Sequence, residues 1–417
     1  MKLCIENLAR IRKAEISLNG ITVIAGYNST GKSTISKALV GCMKAYSGMN
    51  QKIKSQRIMN MMRALDDVVS EALPDALYVN NDATLRNLSK QIVENPEIKL
   101  DIDTLAQAIG TGLESEQYNL LISYIENHHN DILEDIKKKK EVPDQEYVTF
   151  LVNNQLRRMF DQQINTFGSS EPSIIDFSGK EEIHIEIVNN RVIECPSISL
   201  KESEPFYIEP KHMLDESSSI FIRRTDRMMH QSLMMDENAS VDSMTLDQYA
   251  QKEHASQIVA ALANNVMHGR LRPSDDTVLF YDNDFQESIS VKNVASGIKS
   301  MALIARLIEN GSLSSNGFLI IDEPEVNLHP EWQLRFANFL VRLNQELGIQ
   351  ILLTTHSPYF LRALEVYSNQ LDVFDSLKLY MTRECKGGNS GQLFELDDVT
   401  NNSNIIFKQL YLPLEEL

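Results

Sequence analysis

The chain has 417 residues, 58 acidic and 40 basic, which gives a formal net charge of −18 and a pI near 5.0. Because a domain typically has about 150 residues, we expect either one large domain with a sizeable insertion or two lobes. A composition of 42% hydrophobic and 24% charged residues is globular and excludes a disordered, collagenous or wholly coiled-coil chain. The negative balance argues against non-specific coating of nucleic acid or anionic membrane, although it leaves room for a local basic groove.

The cysteines and the apolar runs indicate the cellular compartment of the protein. Cys4, Cys42, Cys195 and Cys385 lie far apart, without a CxxC pair or a histidine cluster at zinc spacing, so we interpret them as reduced, buried thiols. No apolar run approaches the ~20 residues of a membrane span, and MKLCIENLAR has charges where a signal peptide needs apolar residues. We therefore expect a cytoplasmic protein that does not associate with a membrane.

Residues 1–49 carry the pattern of two strands, a third strand, a loop and a helix. MKLCIENL and ARIRKAEISL mix apolar and polar positions as the strands of a hairpin do, and GITVIAG is an apolar, β-branched run that stops at Gly26. STISKALVGCMKA predicts a helix, because its apolar residues Ile35, Leu39 and Cys42 share one face.

Residues 50–168 predict a polar, mostly helical insertion. Leucines and isoleucines recur at loose three- and four-residue spacing, and no heptad repeat is sustained, which argues against a long coiled-coil arm. The run of four lysines at 137–140 stands beside the acidic segments DILEDI and EVPDQE. We interpret it as a solvated helix end rather than a nucleic-acid site.

Residues 169–417 predict further strands and helices. EEIHIEIVNNRVIE, at 181–194, indicates a β-hairpin that turns at Asn189 and Asn190, and PFYIEP indicates another buried strand. Residues 212–250 show little periodicity and predict a mobile surface segment, whereas strands and helices alternate again from 277 to the end. The predicted fold class is α/β, a mixed sheet flanked by helices with a mostly helical insertion and a small β-hairpin region.

The strongest motif lies at residues 26–33, where GYNSTGKS satisfies GxxxxGK[ST] between the predicted strand and helix. Such a loop needs glycine or small residues at its bends, because successive backbone N–H groups curl around the phosphates, and the helix N-terminus adds partial positive charge. Lys32 would reach the β- and γ-phosphates and the Ser33 hydroxyl would ligate Mg²⁺. The motif predicts nucleotide binding.

Two later strands end in residues that suit phosphate chemistry. GFLIIDE ends in Asp322, which suits a direct or water-mediated Mg²⁺ contact, and in Glu323, which suits polarising an attacking water. ILLTTHSP ends in His356, which could contact the γ-phosphate and sense its loss.

VASGIKS opens a fourth candidate element, a helix with apolar residues at Met301, Ile304 and Ile308. Ser296 suits the N-cap of this helix and Gly297 allows close backbone approach. A helix start without a phosphate site in its own sequence neighbourhood could dock on a phosphate bound by a second subunit.

The order of these motifs resembles the ABC-type ATPase superfamily, in its SMC/RecF-like branch rather than among membrane transporters. Residues 294–365 are similar to stand-alone bacterial AAA-family ATPases of the OLD type and to ATPase components of anti-phage systems such as PARIS and Septu. The resemblance covers 1–46 and 277–417. It implies an ABC-type P-loop ATPase head, with residues 1–49 as its N-terminal part, 50–168 as a helical insertion and 169–417 as the rest of the head.

The resemblance also implies roles for single residues. Asp322 would help to hold Mg²⁺, Glu323 would be the catalytic base and His356 the switch histidine, with Lys32 as a third catalytic residue. Ser296 and Gly297 would form the signature motif that closes over the γ-phosphate of the opposite protomer. ATP and Mg²⁺ would be held by the phosphate loop, which comprises Gly26, Tyr27, Asn28, Ser29, Thr30, Gly31, Lys32, Ser33 and Thr34.

Residues 325–329, EVNLH, would form the loop that crosses the dimer axis, with Asn327 making a contact across it. The usual signature has a second glycine and a glutamine where this chain has Ile298 and Lys299, which keeps the helix-dipole contact. The family's glutamine loop has two candidates, Gln51 and Gln91. OLD proteins carry a Toprim nuclease domain after the ATPase, and the roughly 60 residues after His356 are too few for it, so we expect a separate effector polypeptide.

These observations favour an ATPase whose ATP-sandwiched homodimer, or higher homo-oligomer, gates a separately encoded nuclease or toxin. It would be the sensor or scaffold of an anti-phage or toxin-regulating system. The alternative is an SMC/RecF-like ATPase that clamps DNA in repair or recombination, in which basic residues at 137–140, 223–224 and 270–272 would contact DNA. The DEPEVNLHP segment, the missing LSGGQ and the insertion disfavour a transporter subunit.

Overall fold

The computed structural model describes residues 1–73, 82–95, 98, 100–200, 204–209, 245–274, 277–385 and 392–415. The chain forms two compact units. Unit 1 comprises Met1–Ser47, Gln155–Glu194 and Lys201–Leu417, and unit 2 comprises Gly48–Asn154 and Cys195–Leu200. The predicted domain boundaries at 49/50 and 168/169 stay a prediction.

Unit 1 contains all the strands of the described residues. In chain order they are β1 (Lys2–Leu8), β2 (Ile11–Ser17), β3 (Ile21–Ala25), β4 (Ser173–Ser178), β5 (Glu182–Val188), β6 (Arg191–Glu194), β7 (Phe206–Ile208), β8 (Gly269–Ser274), β9 (Thr277–Asp282), β10 (Glu287–Ser290), β11 (Phe318–Asp322), β12 (Gln350–Thr355), β13 (Leu377–Cys385) and β14 (Leu393–Asp398). Eleven of them form one mixed sheet in the order β6-β5-β4-β1-β2-β14-β13-β3-β12-β11-β7, and β8, β9 and β10 form a separate antiparallel sheet. The predicted α/β class with a mixed sheet is confirmed.

Five neighbouring strands, β13, β3, β12, β11 and β7, run parallel to one another. Every residue of β3 and β11 is buried, as expected for apolar runs that have neighbours on both sides and packing on both faces. Because the carboxyl ends of parallel strands share one edge, the segments after β3, β11 and β12 emerge together. Those segments carry the phosphate loop, the acidic pair and the histidine.

The other half of the sheet is antiparallel, apart from the parallel pair of β2 and β14. The predicted N-terminal hairpin is confirmed as β1 and β2, and β1 also pairs with β4. The predicted hairpin at 181–194 is β5 and β6, and its turn residues Asn189 and Asn190 have φ values of +51° and +60°. Asparagine tolerates this left-handed conformation, which a two-residue hairpin turn requires. A C-terminal hairpin consists of β13 and β14, and residues 386–391 between them lie outside the described residues.

Helices cover the parallel strands of unit 1. They are α1 (Lys32–Tyr46), α7 (Leu246–Met267), α8 (Ser296–Glu309), α9 (Pro330–Leu347), α10 (Pro358–Gln370) and α11 (Asn404–Glu415), with 3-10 turns at Val291–Asn293, Phe374–Ser376 and Thr400–Asn402. The predicted apolar face of α8 is buried in the core at Met301, Ile304 and Ile308. The aromatic rings of Phe336 and Phe360 meet edge to face where α9 packs on α10.

The described residues between 49 and 159 are mostly helical. They are α2 (Met49–Ala72), α3 (Asp82–Glu94), α4 (Ile102–Ile109), α5 (Ser115–Lys140) and α6 (Asp144–Met159). In unit 2, the core includes Leu65, Leu88, Leu105, Leu121 and Ile125, so the predicted helical character of this stretch is confirmed. No helix in the described part of the chain combines the length and apolarity that a membrane span requires.

The segment predicted to be mobile, 212–250, is described only at its end. Residues 212–244 lie outside the described residues and Leu246 begins α7, so residues 246–250 are helical, and the mobility of the segment stays a prediction. The sequence pattern did not predict α7, because the apolar residues of this helix do not lie on one face. Its alanines and glutamines favour helix without marking a buried stripe.

Candidate nucleotide site

The loop between β3 and α1 has the conformation that the phosphate motif requires. Gly31 adopts φ +89° directly before α1, a left-handed conformation that glycine adopts at no steric cost. Two hydrogen bonds from threonine hydroxyls stabilise the loop. Thr30 Oγ1 donates to Tyr27 O at 2.9 Å, and Thr382 Oγ1, on β13, donates to Thr30 Oγ1 at 2.9 Å. The Tyr27 hydroxyl donates to the Gln409 carbonyl of α11. The phosphate loop is therefore tied to the parallel sheet and to the last helix.

Lys32 is buried, with only 4% of its surface exposed. Its Nζ donates to the carbonyl oxygens of Gly26 at 3.0 Å and Tyr27 at 2.7 Å, which holds the ammonium against the loop. Burial lowers the pKa of Lys32, while the negative charges of Glu323, Glu325 and Asp322 act in the opposite direction. The structure thus places the predicted phosphate-binding cation beside the predicted acids.

Asp322, at the end of β11, has both carboxylate oxygens hydrogen-bonded. Oδ1 accepts from Ser36 Oγ at 2.7 Å and from Thr354 Oγ1 at 3.1 Å, and Oδ2 accepts from Tyr207 OH at 2.7 Å. Burial and the neighbouring carboxylate of Asp322 raise the pKa of Tyr207, so its hydroxyl stays protonated and donates. Sequence analysis missed all three donors, since a lone hydroxyl on a strand or helix has no motif of its own.

The Asp322–Ser36 bond bears on the predicted magnesium site. Ser33 and Ser36 lie one turn apart on α1, so this bond holds Asp322 at the helix start where Ser33 also lies. A serine hydroxyl and a carboxylate are oxygen donors of the kind that Mg²⁺ prefers. The residues present therefore fit the ion.

Glu323 turns out of the strand. Its φ is +48°, which is uncommon outside glycine and is held here by its backbone N–H donating to Thr354 O at 3.0 Å. Its side chain is partly exposed, unlike that of the neighbouring Asp322. A tight turn follows, in which Val326 N donates to Glu323 O and Leu328 N donates to Glu325 O.

Glu325 is a buried carboxylate that sequence analysis assigned only to the loop 325–329. Its Oε1 accepts from Thr355 Oγ1 at 2.6 Å and from the His356 backbone N–H at 2.9 Å. His356 Nδ1 lies 3.5 Å from Glu325 Oε1 and 3.7 Å from Glu323 Oε1, so the histidine stands between two acids. Burial raises the pKa of Glu325. In the sequence, the only feature that could have indicated Glu325 as a site residue is its position next to Asp322 and Glu323.

The signature segment differs from the prediction in one respect. Ala295 is the N-cap of α8 and Ser296 is its first helical residue, because the Lys299 N–H bonds to the Ala295 carbonyl at 3.0 Å. The assignment of Ser296 as N-cap is therefore wrong by one residue. Gly297 does permit close approach, since a Cβ there would lie 2.4 Å from Leu328 Cδ2.

The predicted site residues thus form two groups. Lys32, Asp322, Glu323 and His356 come together at the carboxyl edge of the parallel strands, next to the phosphate loop. Gly297 belongs to a second group, on α8 and the loop 325–329, where Asn327 is exposed with φ +63°. The two glutamine-loop candidates, Gln51 and Gln91, lie on α2 and α3 of unit 2.

Comparison with known proteins supports a P-loop ATPase. Residues 182–362, less than half of the chain, match the family described as "AAA domain, putative AbiEii toxin, Type IV TA system". A curated protein of Geobacter sulfurreducens, "Putative ABC transporter ATP-binding protein GSU3001", is 34% identical over 82 residues. That alignment covers 19% of this chain and spans only 28% of the relative's length.

Two solved structures of low sequence identity are similar. The "SMC head domain from Thermotoga maritima" is 11% identical with a TM-score of 0.39, covering 95% of this chain and 98% of that chain. The "SmcHead bound to the C-winged helix domain of ScpA" is 12% identical with a TM-score of 0.40, covering 97% and 98%.

Proposed function

We propose that this chain, an AAA/ABC-type P-loop ATPase by its family match, binds ATP with Mg²⁺ and hydrolyses it to ADP and phosphate. The observation that carries the proposal is the hydrogen bond between Ser36 and Asp322. It joins the helix that starts at the phosphate loop to the strand that ends in two acids. The groups proposed to bind phosphate and to activate water therefore lie close together, although some 290 residues separate them in sequence.

The residues take the following roles in this proposal. The backbone N–H groups of residues 26–34 would cradle the phosphates, and Lys32 would offset charge on the β- and γ-phosphate oxygens. Ser33 and Asp322 would hold Mg²⁺, which when bound neutralises charge that develops on the phosphates. Glu323 would accept a proton from the attacking water, and His356 would contact the γ-phosphate and lose that contact after hydrolysis.

Ser296, Gly297 and Asn327 would complete the site of a second copy, giving an ATP-sandwiched homodimer or a higher homo-oligomer. In support, the first residues of α8 leave backbone N–H groups without intrahelical partners, which favours a negative group at that end. The contact of Leu328 with Gly297 joins this helix start to the loop that follows Glu323. Hydrolysis would then loosen the assembly, because both copies hold the γ-phosphate.

We propose that this cycle gates a separately encoded effector, a nuclease or toxin, in a cytoplasmic anti-phage or toxin-regulating system. The description of the matched family favours this setting. The proposed kinship with OLD, PARIS and Septu ATPases rests on the sequence resemblance. The four cysteines are unpaired, which is compatible with a reducing compartment.

DNA clamping has less support. The side chains of Lys138 and Lys139 pair with acids of the same helix, Glu134 at 2.7 Å and Asp135 at 3.0 Å. Such pairs reduce the positive field that duplex DNA requires. Arg272 stacks on the Tyr281 ring, 4.2 Å from its centroid. Arg223 and Arg224, which this hypothesis also names, lie outside the described residues.

Substitution of the proposed base tests the function. Glu323→Gln should lower the rate of phosphate release about 10²–10⁴-fold, the typical contribution of a positioned base, and should retain ATP in a larger species by size-exclusion chromatography. Glu331→Gln is the matched control, since this exposed glutamate pairs with Arg335 on the surface of α9. Wild-type turnover by Glu323→Gln would rule out the catalytic role. Stimulation by duplex DNA that is lost at high salt would favour the clamp instead.

A further inference from the structure

The edge strand β7 contributes to the site from a region that no motif marked. It pairs in parallel with β11, in a register that places Tyr207 opposite Ile320 and Ile208 opposite Ile321. β11 ends one residue later, at Asp322. The Tyr207 hydroxyl therefore approaches Asp322 from the edge of the sheet, and it donates a hydrogen bond to Asp322 Oδ2 at 2.7 Å.

The three hydroxyls on Asp322 are unevenly distributed. Ser36 and Thr354 both donate to Oδ1, from α1 and β12, whereas among the described residues Tyr207 is the donor to Oδ2. The terminal torsion of an aspartate side chain is broad and is not fixed by rotamer preference. Hydrogen bonds to only one oxygen would still allow the carboxylate plane to rotate. A hydrogen bond to the second oxygen prevents that rotation.

We propose that Tyr207 is a positioning residue that orients the Asp322 carboxylate for Mg²⁺. The inference rests on the proposed function, in which Asp322 and Ser33 hold the ion. Carboxylates that ligate metals are commonly hydrogen-bonded in turn, and loss of such a partner typically lowers metal affinity about 10–100-fold. Tyr207 meets Asp322 in this way without itself being a ligand.

A second carboxylate, that of Glu209, also lies near the Tyr207 hydroxyl. Its Oε1 lies 3.4 Å from the Tyr207 oxygen, so the hydroxyl stands between the carboxylates of Asp322 and Glu209. One proton on the hydroxyl cannot be donated fully to both. The shorter distance assigns it to Asp322.

The test is Tyr207→Phe, which keeps the ring and removes the hydroxyl. Mg²⁺ is titrated into the full chain with a fluorescent ATP analogue, and the half-saturating Mg²⁺ concentration is read from the fluorescence. We expect it to rise about 10–100-fold, while binding of the analogue in EDTA stays at the wild-type level. The matched control is Tyr124→Phe, which removes another tyrosine–carboxylate bond, to Glu71 in unit 2.

A second variant keeps the inference testable should Tyr207→Phe fold poorly. Ser36→Ala removes one donor from Oδ1, which keeps its bond from Thr354, so we expect a smaller rise than for Tyr207→Phe. An unchanged Mg²⁺ response in a folded Tyr207→Phe protein, or a larger rise for Ser36→Ala, would overturn the inference alone. A wild-type chain that binds no nucleotide with or without Mg²⁺ would overturn the proposed function as well.

Discussion

Two regions of the molecule, helix α5 and the carboxyl ends of the parallel strands, hold their charged residues in opposite ways. On α5 of unit 2, lysines pair with acids four residues away, and both partners are largely exposed. In unit 1, Lys32, Asp322 and Glu325 are each buried to 4% exposure at the ends of parallel strands. Burying a charge costs several kcal/mol unless partners compensate, whereas an exposed pair contributes about 0–1 kcal/mol. Charge density alone therefore does not locate a site, and buried charge is the better guide.

The largest effect expected from this comparison is at Lys32. Lys32→Ala should weaken ATP binding about 100-fold, because a charge-assisted hydrogen bond contributes about 1.5–3 kcal/mol and the lysine would make more than one. Lys37→Ala, five residues further along the same helix, is the control. Fluorescence anisotropy of a labelled nucleotide measures the difference. Equal losses in the two variants would contradict the assignment.

Glu325 should show the next largest effect. Glu325→Ala leaves the Thr355 hydroxyl and the His356 N–H without their acceptor, at about 1–3 kcal/mol for each buried group, and should slow turnover about tenfold by freeing His356. Glu325→Gln keeps an acceptor oxygen and should restore most of the stability. Urea unfolding and phosphate release measure both quantities. An alanine variant as stable as the wild type would contradict this account.

Stability should also depend on pH through Glu325. The pKa of Glu325 is raised in the folded chain, so the folded chain binds this proton more tightly than the unfolded chain does. The resulting contribution to the free energy of unfolding is present below the ordinary pKa of 4.5 and is lost as pH rises through the folded pKa. Glu325→Gln should therefore lose less stability than the wild type over that range. Urea midpoints at a series of pH values test the sign. A steeper loss in the glutamine variant would reverse it.

Gly297 should show a small effect that depends on its neighbour. Gly297→Ala places a methyl group against the end of the half-buried Leu328 side chain, which can turn aside, and should cost about 1 kcal/mol or less. Because the two residues touch, the double variant with Leu328→Ala should recover part of the loss. A double-mutant cycle from urea unfolding gives the coupling. Additive effects would show that the methyl group is accommodated elsewhere.

The smallest effects are expected on α5. Lys138→Ala should change the free energy of unfolding by about 0.5 kcal/mol or less, since it breaks one exposed pair with Glu134. Replacing all four lysines at 137–140 with alanine should leave turnover unchanged. Binding of duplex DNA by the wild type that the fourfold variant loses would instead make this run a functional surface.

Sequence reasoning succeeded where a pattern is local. The phosphate loop, the buried strands and the histidine each follow from neighbouring residues, so their order along the chain could be predicted. Tyr207 and Ser36 could not, because each meets Asp322 only through strand or helix packing across more than 100 residues. Ser296 was misplaced by one position, since the identity of the first carbonyl to accept a helical bond depends on backbone geometry.

The position of β3 has a consequence for synthesis of the protein. This strand, Ile21–Ala25, is made long before both of its neighbours, β12 at Gln350–Thr355 and β13 at Leu377–Cys385. Contacts that join distant parts of a chain form slowly, and a strand without neighbours exposes its edges meanwhile. The nascent phosphate loop therefore has no neighbouring strand to support it until residues 350–385 have been made. Ribosome-bound chains that stop before residue 350 should be unable to capture nucleotide.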